Sequence, residues 1–266
     1  MLDYNIIKPI AEGGQKKVSL AELTDGTRVV VKVAPIASTL GLQRMVRECS
    51  LLRQLNNAYF PKNYDANLDI GSMTLTTVEE FIEGNTLLSC AKDFLDKTSI
   101  KKLLLQLVDG LEIVWKMNIV HRDLKPANII IRPNGEPCII DFGIARFLNM
   151  DSLTDTLSPV GPNTPLYASP EQMNNSKHLV DMRTDFFALG IIALELYLGI
   201  HPFDTSVVPN SELTILDNLR KGKYATNTST VPEDVAMTAM ATQLLQQQAY
   251  MRPRDYNQLR QLFNTL

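Results

Sequence analysis

Apolar residues, many of them Val or Ile, are concentrated in three short stretches near the beginning of the chain, residues 4–10, 16–23 and 27–33. Short stretches of this kind, bounded by turn residues, are typical of β-strands. Asp25-Gly26, between the second and third stretches, favours a tight hairpin turn. We therefore predict a three-stranded antiparallel unit here, and a further strand over residues 73–81.

Farther along the chain the apolar residues recur at the spacing of amphipathic helices. This spacing predicts helices over residues 40–55, 97–117, 186–198, 210–221, 233–247 and 254–266. The most apolar of them, residues 186–198, contains Glu195 and is shorter than the ~20 residues that span a bilayer. We therefore predict a buried core helix there, and no membrane segment in this chain.

The composition is that of a globular protein, and the length fits one large domain or two small lobes. The 266 residues are 45% hydrophobic and 21% charged, with a formal net charge of −3. Nothing in this balance indicates binding to nucleic acid or to an acidic membrane. Cys49, Cys90 and Cys138 are too widely spaced to suggest a zinc site or a disulfide framework, and the first residues lack the features of a signal peptide. These features predict reduced thiols and a cytoplasmic protein.

The most informative stretch is residues 121–128, with the sequence HRDLKPAN, followed by two short apolar segments that Asn134-Gly135 separates. An Asn-Gly pair between such segments favours a hairpin. A hairpin brings its outer ends together, so Asn128 before the first strand and Asp141 after the second are predicted to lie side by side. Amide and carboxylate oxygens are ligands that Mg²⁺ prefers. The hairpin therefore predicts a metal site.

Asp123 and Lys125 lie in the loop just before this hairpin, in position to face the same metal-bound ligand. A carboxylate there can orient a hydroxyl group, and a lysine can neutralise phosphate charge. Residues 121–128 match H-R-D-L-x-x-x-N, the catalytic-loop pattern of protein kinases, and residues 141–143, Asp-Phe-Gly, match the family's metal-binding tripeptide. The chain therefore resembles the protein kinases.

The resemblance extends to the first predicted turn. When the kinase pattern G-x-G-x-x-G-x-V is anchored at Val18, its three glycine positions fall on Ala11, Gly13 and Lys16, so the chain keeps the middle glycine. Gly13 and Gly14 would let backbone N–H groups approach the phosphates of ATP. We expect this turn to cover the nucleotide.

Residues 29–33, Val-Val-Val-Lys-Val, resemble the kinase strand that carries a phosphate-binding lysine. A period of two places Val30 and Lys32 on one face and the other three valines on the opposite face. The resemblance implies that Lys32 contacts the phosphates and that Glu48, on the helix predicted over residues 40–55, is its counter-ion. Val30 stands where the family usually has alanine against adenine, so its extra methyl groups should crowd that pocket slightly.

The strand predicted over residues 73–81 resembles the strand and hinge that connect the two kinase lobes. Aligned on Glu80-Phe81-Ile82, Glu79 guards the back of the nucleotide pocket, a position that is typically apolar or threonine in the family. A carboxylate buried there needs a partner or water, unless the alignment is displaced by one residue. The resemblance places Glu80, Ile82 and Ile130 against the nucleotide.

The polar stretch 149–163 has no periodic pattern and leads to residues 169–171, Ser-Pro-Glu, which resemble the end of a kinase activation segment. The resemblance implies that Arg252 pairs with Glu171. It also implies that Asp185, opening the apolar core helix, holds the backbone of the catalytic loop.

Arg122 precedes the catalytic-loop aspartate, and the resemblance implies that it binds a phosphorylated residue of the activation segment. A phosphate adds roughly −1.5 to −2 of charge and forms strong hydrogen bonds with arginine. We therefore predict autophosphorylation of this segment. The candidate hydroxyls are those of Ser152, Thr154, Thr156 and Ser158.

Taken over nearly the whole chain, the resemblance implies the α+β fold of a two-lobed protein kinase with ATP between the lobes. The small β-rich lobe would cover about residues 1–82 and the larger helical lobe about residues 83–266. Lys125 followed by Pro126, together with Thr164-Pro165, resembles the serine/threonine subclass, in its bacterial-type branch. The implied cofactors are ATP and Mg²⁺, or Mn²⁺ in its place.

In this assignment Asp123 orients the substrate hydroxyl, Lys125 supports the transferred phosphoryl group, and Asn128 and Asp141 hold the metal. The implied partner is a protein substrate, and no pattern indicates an oligomeric state. Two alternatives stay open. One is a nucleotide-binding pseudokinase that acts as a scaffold, which the altered glycine and pocket positions would suit. The other is a phosphotransferase acting on a small molecule.

Overall fold

A computed structural model describes residues 2–13, 16–35, 55, 57–94, 96–141, 166–208, 214–225 and 234–266. Two compact units make up the chain. The first consists of the described parts of Met1–Gly84 and Cys138–Pro159, and the second of the described parts of Asn85–Pro137 and Val160–Leu266. The helix predicted over residues 40–55, apart from Leu55, and the polar stretch 149–163 lie outside the described residues.

The first unit contains an antiparallel five-stranded sheet with the strand order β1-β2-β3-β5-β4. The strands are Tyr4–Gly13 (β1), Lys16–Leu23 (β2), Arg28–Pro35 (β3), Asn63–Asp69 (β4) and Thr74–Glu80 (β5). Gly26 forms the predicted turn between β2 and β3 with φ of 85°, a left-handed conformation that glycine adopts without strain.

Strand β4 was absent from the sequence prediction, which placed three strands before residue 34 and one at residues 73–81. Its sequence, NYDANLD, does alternate, with Tyr64, Ala66 and Leu68 at every second position, so the signal was present and was overlooked. The strand lies at the edge of the sheet, where one neighbour, β5, supplies its pairing. Edge strands commonly carry polar and charged residues, which here give the segment a loop-like composition.

The two faces of the sheet differ as the alternation predicted. Ala21, Val29, Val31 and Val78 form a buried cluster on one face, each at most 2% exposed. Lys32 lies on the opposite face because successive side chains of a strand point to opposite sides. The apolar cluster stabilises the sheet, and the opposite face presents the charged side chain of Lys32.

The second unit is mainly helical. Its α-helices are Lys97–Trp115 (α1), Pro170–Met173 (α2), Met182–Leu198 (α3), Ile215–Lys221 (α4), Val235–Leu244 (α5) and Tyr256–Asn264 (α6). A short strand, Asn85–Thr86 (β6), pairs antiparallel with Ile129–Ile131 (β7), and Pro137–Ile139 (β8) follows β7 along the chain.

Helix α3 is the buried helix that the sequence predicted, but it begins earlier than expected. The carboxylate of Asp181 accepts a hydrogen bond from the Arg183 N–H and is the N-cap. Asp185 therefore lies inside the first turn rather than opening the helix, which corrects the predicted start. A capping aspartate satisfies a backbone donor that the helix itself cannot.

Close packing surrounds α3. The Trp115 ring, at the end of α1, meets Phe186 edge-on with a centroid distance of 5.1 Å. A Cβ added at Gly190 would lie 2.7 Å from the Leu244 side chain, so the glycine is required by the close approach of α5. Among the described helices, none is long and apolar enough to cross a membrane.

The turn after β7 confirms the predicted hairpin. The Arg132 N–H donates to the Glu136 carbonyl oxygen over 2.9 Å, and the Gly135 N–H donates to the Arg132 carbonyl oxygen over 2.8 Å. Gly135 has φ of 81°, a value that glycine tolerates. The Asn-Gly pair therefore reverses the chain where the sequence predicted.

Candidate active site

In the second unit, the catalytic loop brings three of the predicted site residues together. The Lys125 Nζ lies 3.0 Å from the Asp123 Oδ2. The Asn128 side-chain amide donates to the same Oδ2 over 3.0 Å and to the Asp123 carbonyl oxygen over 2.8 Å. Asn128 is buried while Asp123 and Lys125 are partly exposed. The loop thus presents a carboxylate, held by an ammonium and an amide group, at an accessible surface.

Asp185 holds the backbone of this loop. Its carboxylate accepts hydrogen bonds from the N–H groups of His121 and Arg122, each over 2.9 Å, and from the Trp115 indole N–H over 2.8 Å. Arg122 has φ of 66°, a conformation that costs energy for a residue with a side chain. Burial raises the pKa of Asp185 despite these donors. The predicted role of Asp185 is confirmed by these contacts.

A second support of the loop was not predicted from the sequence. Ser169 and Gln172 form a capping box at the start of α2. The Gln172 side-chain amide also donates to the Arg122 carbonyl oxygen over 2.8 Å. The capping pattern in Ser-Pro-Glu-Gln is visible in the sequence, but the contact to Arg122 spans 50 residues and has no local signal.

Glu171 and Arg252 form the predicted ion pair. Two nearly parallel bonds of 2.8 and 2.9 Å join the guanidinium to the carboxylate, and both side chains are almost fully buried. Thr184 donates its hydroxyl to Glu171 over 2.8 Å. Burial alone would raise the pKa of Glu171, but the hydrogen bonds and charge of Arg252 more than offset it and keep that pKa below its usual range.

In the first unit, Lys32 is paired with two carboxylates. Its Nζ lies 2.6 Å from the Glu79 Oε2 and 2.9 Å from the Asp141 Oδ1. The partner predicted for Lys32, Glu48, lies outside the described residues. Glu79, whose buried carboxylate was expected to need a partner, therefore finds it in Lys32.

The two neighbouring carboxylates determine the direction in which the pKa of Lys32 is shifted. Burial disfavours the charged amine, but the carboxylates of Glu79 and Asp141 more than compensate, so the pKa of Lys32 is raised. Asp141 itself has φ of 61°, a left-handed conformation that is strained for most residues although aspartate and asparagine tolerate it best. Strained backbone of this kind is often found at functional sites.

Cross-strand register aligns several of the predicted nucleotide-binding residues. Ala11 pairs with Val18, Val18 with Lys32, and Lys32 with Thr77, in one row across four strands. Paired residues share a face of the sheet, so this row lies on the polar face. Gly13 pairs with Lys16 at the end of the first hairpin, and Gly14 lies outside the described residues.

The other predicted nucleotide contacts are Val30, Glu80, Ile82 and Ile130. Val30 pairs with Glu79, so it lies on the same face as Lys32. Glu80 ends β5, and its N–H donates to the Lys62 carbonyl oxygen over 2.8 Å. Ile82 is 5% exposed, and Ile130 is a half-buried residue of β7.

The donor types fit a hard cation such as Mg²⁺, since the amide oxygen of Asn128 and the carboxylate of Asp141 are oxygen ligands. Within the described ranges, no cluster of three or more His, Cys, Asp or Glu residues is placed to hold a metal by itself. Mg²⁺ commonly takes one or two protein carboxylates and completes its shell with phosphates and water. The residues present are therefore compatible with a metal that arrives with a nucleotide.

Comparison with known proteins identifies the family. The model of the protein kinase domain matches residues 4–265. The chain is 32% identical over 213 residues to a probable serine/threonine-protein kinase PknB of Bifidobacterium longum, covering 75% of this chain and 31% of that protein.

Two further relatives are also bacterial. Serine/threonine-protein kinase pkn2 of Myxococcus xanthus is 29% identical over 96% of this chain and 31% of its own length. A probable serine/threonine-protein kinase PknB of Lactococcus lactis is 30% identical over 76% of this chain and 32% of its own length. The chain therefore spans about a third of the length of these three relatives. The predicted resemblance to bacterial-type kinases is confirmed, and the chain belongs to the protein kinase family.

Proposed function

We propose that this protein is a serine/threonine protein kinase catalytic domain that transfers the γ-phosphoryl group of ATP to hydroxyl groups of protein substrates. The observation that carries the proposal is the loop in which Asp123 is joined to Lys125 and Asn128 and anchored by Asp185. The relatives named serine/threonine-protein kinase support the same reaction.

Each charged residue has a role that follows from its position. The Asp123 carboxylate accepts a hydrogen bond from the attacking hydroxyl and orients the oxygen for in-line attack. Lys125, 3.0 Å from Asp123, neutralises charge on the transferred phosphoryl group. Lys32 binds the phosphates of the bound nucleotide. Phosphoryl transfer depends on such positioning and charge neutralisation more than on covalent steps by the protein.

Asn128 and Asp141 would hold Mg²⁺, or Mn²⁺ in its place, through their side-chain oxygens. When bound, the metal supplies positive charge that neutralises the phosphate oxygens. Ala11, Gly13, Gly14 and Val18 would lie over the nucleotide. The remaining contacts would come from Val30, Glu48 through Lys32, Glu80, Ile82 and Ile130.

The proposal treats residues 1–266 as one catalytic domain with two lobes, about residues 1–82 and 83–266. The three cysteines are widely spaced and odd in number, a pattern that suits a reducing compartment rather than a disulfide framework. We propose a cytoplasmic location from this pattern.

The proposal is tested by incubating the purified chain with γ-labelled ATP, Mg²⁺ and a generic protein substrate. Label is expected on serine and threonine of the substrate, and phosphoamino-acid analysis distinguishes these from tyrosine. An Asp123→Ala variant is the matched negative control, because it removes the hydroxyl-orienting carboxylate. Nucleotide binding without transfer by the wild type would favour the pseudokinase alternative instead.

We also propose that the activation segment is autophosphorylated and that its phosphate pairs with Arg122. The candidates are Ser152, Thr154, Thr156 and Ser158, which lie outside the described residues. Mass spectrometry after incubation with Mg-ATP should find phosphate between residues 149 and 164. A variant with all four hydroxyls removed should lose activity, and full activity in that variant would contradict the proposal.

A further inference from the structure

Glu79 is held from two sides on the polar face of the first unit's sheet. Its Oε2 accepts from the Lys32 Nζ over 2.6 Å, and its Oε1 accepts from the Thr77 hydroxyl over 3.0 Å. Thr77 is the cross-strand partner of Lys32 in the β3–β5 register. Both oxygens of the carboxylate are therefore oriented by residues whose positions the sheet determines.

The contact differs from an ordinary surface ion pair. The side chains of Lys32 and Glu79 are 15% and 16% exposed, and Thr77 is 4% exposed. Exposed pairs usually contribute little because water and salt screen them, whereas partly buried pairs are screened less. A carboxylate at this depth without its partners would be costly. The geometry therefore fixes the Lys32 ammonium group beside the Glu79 carboxylate.

Asp141, which follows β8 along the chain and belongs to the first unit, contacts the same ammonium group. An ammonium group has three N–H donors, and the two carboxylates use two of them. Asp141 belongs to the proposed metal site, so its bond to Lys32 competes with metal coordination. Glu79 has no such second task, and its bond can persist when a nucleotide and metal bind.

We propose that Glu79 is a positioning residue that holds Lys32 for contact with the nucleotide phosphates. The inference deepens the proposed function, since the phosphate contact of Lys32 rests on it. It assigns to a strand residue a task that the family resemblance gave to Glu48 alone. The carboxylate is itself placed by Thr77.

The proposal is tested first without catalysis, by trace acetylation of the unliganded protein with acetic anhydride at pH 9. The reagent attacks an amine that has left its ion pair, so the rate at Lys32 reports how firmly its partners hold it. Peptide mass spectrometry compares Lys32 with exposed Lys92 as an internal reference. Glu79→Gln removes one of the two carboxylates that hold Lys32, so acetylation of Lys32 should rise about tenfold.

Matched variants distinguish the effect of the Glu79 charge on Lys32 acetylation from an effect of altered folding. Glu22→Gln removes an exposed carboxylate of the same sheet and should leave Lys32 acetylation at the wild-type rate. Glu79→Asp keeps the charge and should restore slow acetylation. Thr77→Val keeps the shape but removes the hydroxyl that orients Glu79, so acetylation should rise by about twofold to threefold, a smaller change than the tenfold one. Unchanged acetylation in both Glu79→Gln and Thr77→Val would overturn the proposal.

Kinetics then separate positioning from mere structure. Glu79→Gln should lower kcat by between about tenfold and a hundredfold, with a smaller change in KM for ATP and an unchanged thermal midpoint. Wild-type kcat in a Glu79→Gln variant with fast Lys32 acetylation would overturn the positioning role. Absence of transfer by the wild type would instead contradict the proposed function, and the acetylation result would still decide whether Glu79 holds Lys32.

Discussion

The two main ion-paired clusters of this protein differ in how completely their charges are satisfied. Arg252 and Glu171 are matched one to one and almost fully buried. Arg252 uses its remaining donors on the carbonyl oxygens of Gln246 and Arg183. Lys32, by contrast, faces two carboxylates, and all three side chains keep between 15% and 21% of their surface exposed.

This difference indicates that the Arg252 cluster stabilises the fold, whereas the Lys32 cluster can bind a ligand. The Arg252 cluster is closed, because its charges cancel and its donors are bonded within the protein. In the Lys32 cluster, one ammonium group faces two carboxylates among the described residues, and the three side chains are accessible to a ligand. Partly buried ionisable groups of this kind are common at functional sites.

A change at Asp141 in the Lys32 cluster should have the largest effect on turnover. Asp141→Asn removes the carboxylate of the proposed metal site but keeps a side chain that tolerates the φ of 61° at this position. We expect kcat to fall at least ~10³-fold, equivalent to about 4 kcal/mol, with little change in thermal stability. Radiolabel transfer at saturating Mg²⁺ measures the first and circular dichroism the second.

The control is Asp25→Asn, at an exposed turn of the same unit. Asparagine preserves the bond that this residue accepts from the Thr27 N–H, so turnover should match the wild type. Wild-type turnover in Asp141→Asn would show that the metal assignment is wrong.

Removing the charge of Arg252 should lower the free energy of unfolding rather than the rate of phosphoryl transfer. Arg252→Leu leaves the Glu171 carboxylate buried without its counter-ion, and such changes cost about 3–5 kcal/mol. Denaturant unfolding should show this loss, whereas Arg254→Leu, at a side chain that is 82% exposed, should change stability by less than about 0.5 kcal/mol. Equal effects of the two variants would refute the distinction between closed and exposed charges.

A third cluster, around His201, sharpens the comparison because its buried imidazole is uncharged near neutral pH. Its ring meets Tyr167 edge-on at 5.3 Å, and Tyr167 donates its hydroxyl to Glu195 over 2.6 Å. Burial lowers the pKa of His201 to about 4, although Asp204 opposes this. Burial also raises the pKa of Glu195. The cluster therefore keeps its imidazole neutral inside the fold.

The unfolded chain protonates His201 near pH 6.5 and the folded chain near pH 4, so acidification between these values favours unfolding. Neutral His201 makes its full contribution to the free energy of unfolding above pH 6.5. Near pH 4 that free energy has fallen by roughly 3 kcal/mol. His201→Asn should flatten the fall in stability across this range. Denaturant midpoints measured at several pH values test it, with exposed His178→Asn as the control that should follow the wild type.

The smallest expected effect concerns the contact between α2 and the catalytic loop. Gln172→Ala removes the amide that donates to the Arg122 carbonyl oxygen, and a net loss of about 1 kcal/mol follows from one hydrogen bond. Turnover should fall severalfold because the loop is less well held. Asn174→Ala, at an exposed neighbour, should leave turnover unchanged; a similar loss there would show that α2 as a whole, rather than this bond, supports the loop.

Local patterns predicted much of this structure. Short apolar and β-branched stretches identified β1, β2, β3 and β5, and the Asn-Gly and Asp-Gly pairs located two turns. The motif resemblance also anticipated Asp185 as the support of the catalytic loop. Strand β4 was missed although Tyr64, Ala66 and Leu68 alternate with polar residues, whereas the early start of α3 and the bond from Gln172 depend on a cap and a distant contact that apolar periodicity does not report.

The sequence by itself determined which chemical groups are available and where the chain turns. Turns are determined by residues that are adjacent in the sequence. Gly135, for example, adopts φ of 81° in the turn between β7 and β8. The tertiary structure decided which carboxylate meets Lys32. Glu79 lies 47 residues away along the chain and reaches Lys32 because β5 pairs with β3 in one particular register. A shift of one residue in that register would turn Glu79 to the opposite face, so the partner of Lys32 is a property of the folded sheet.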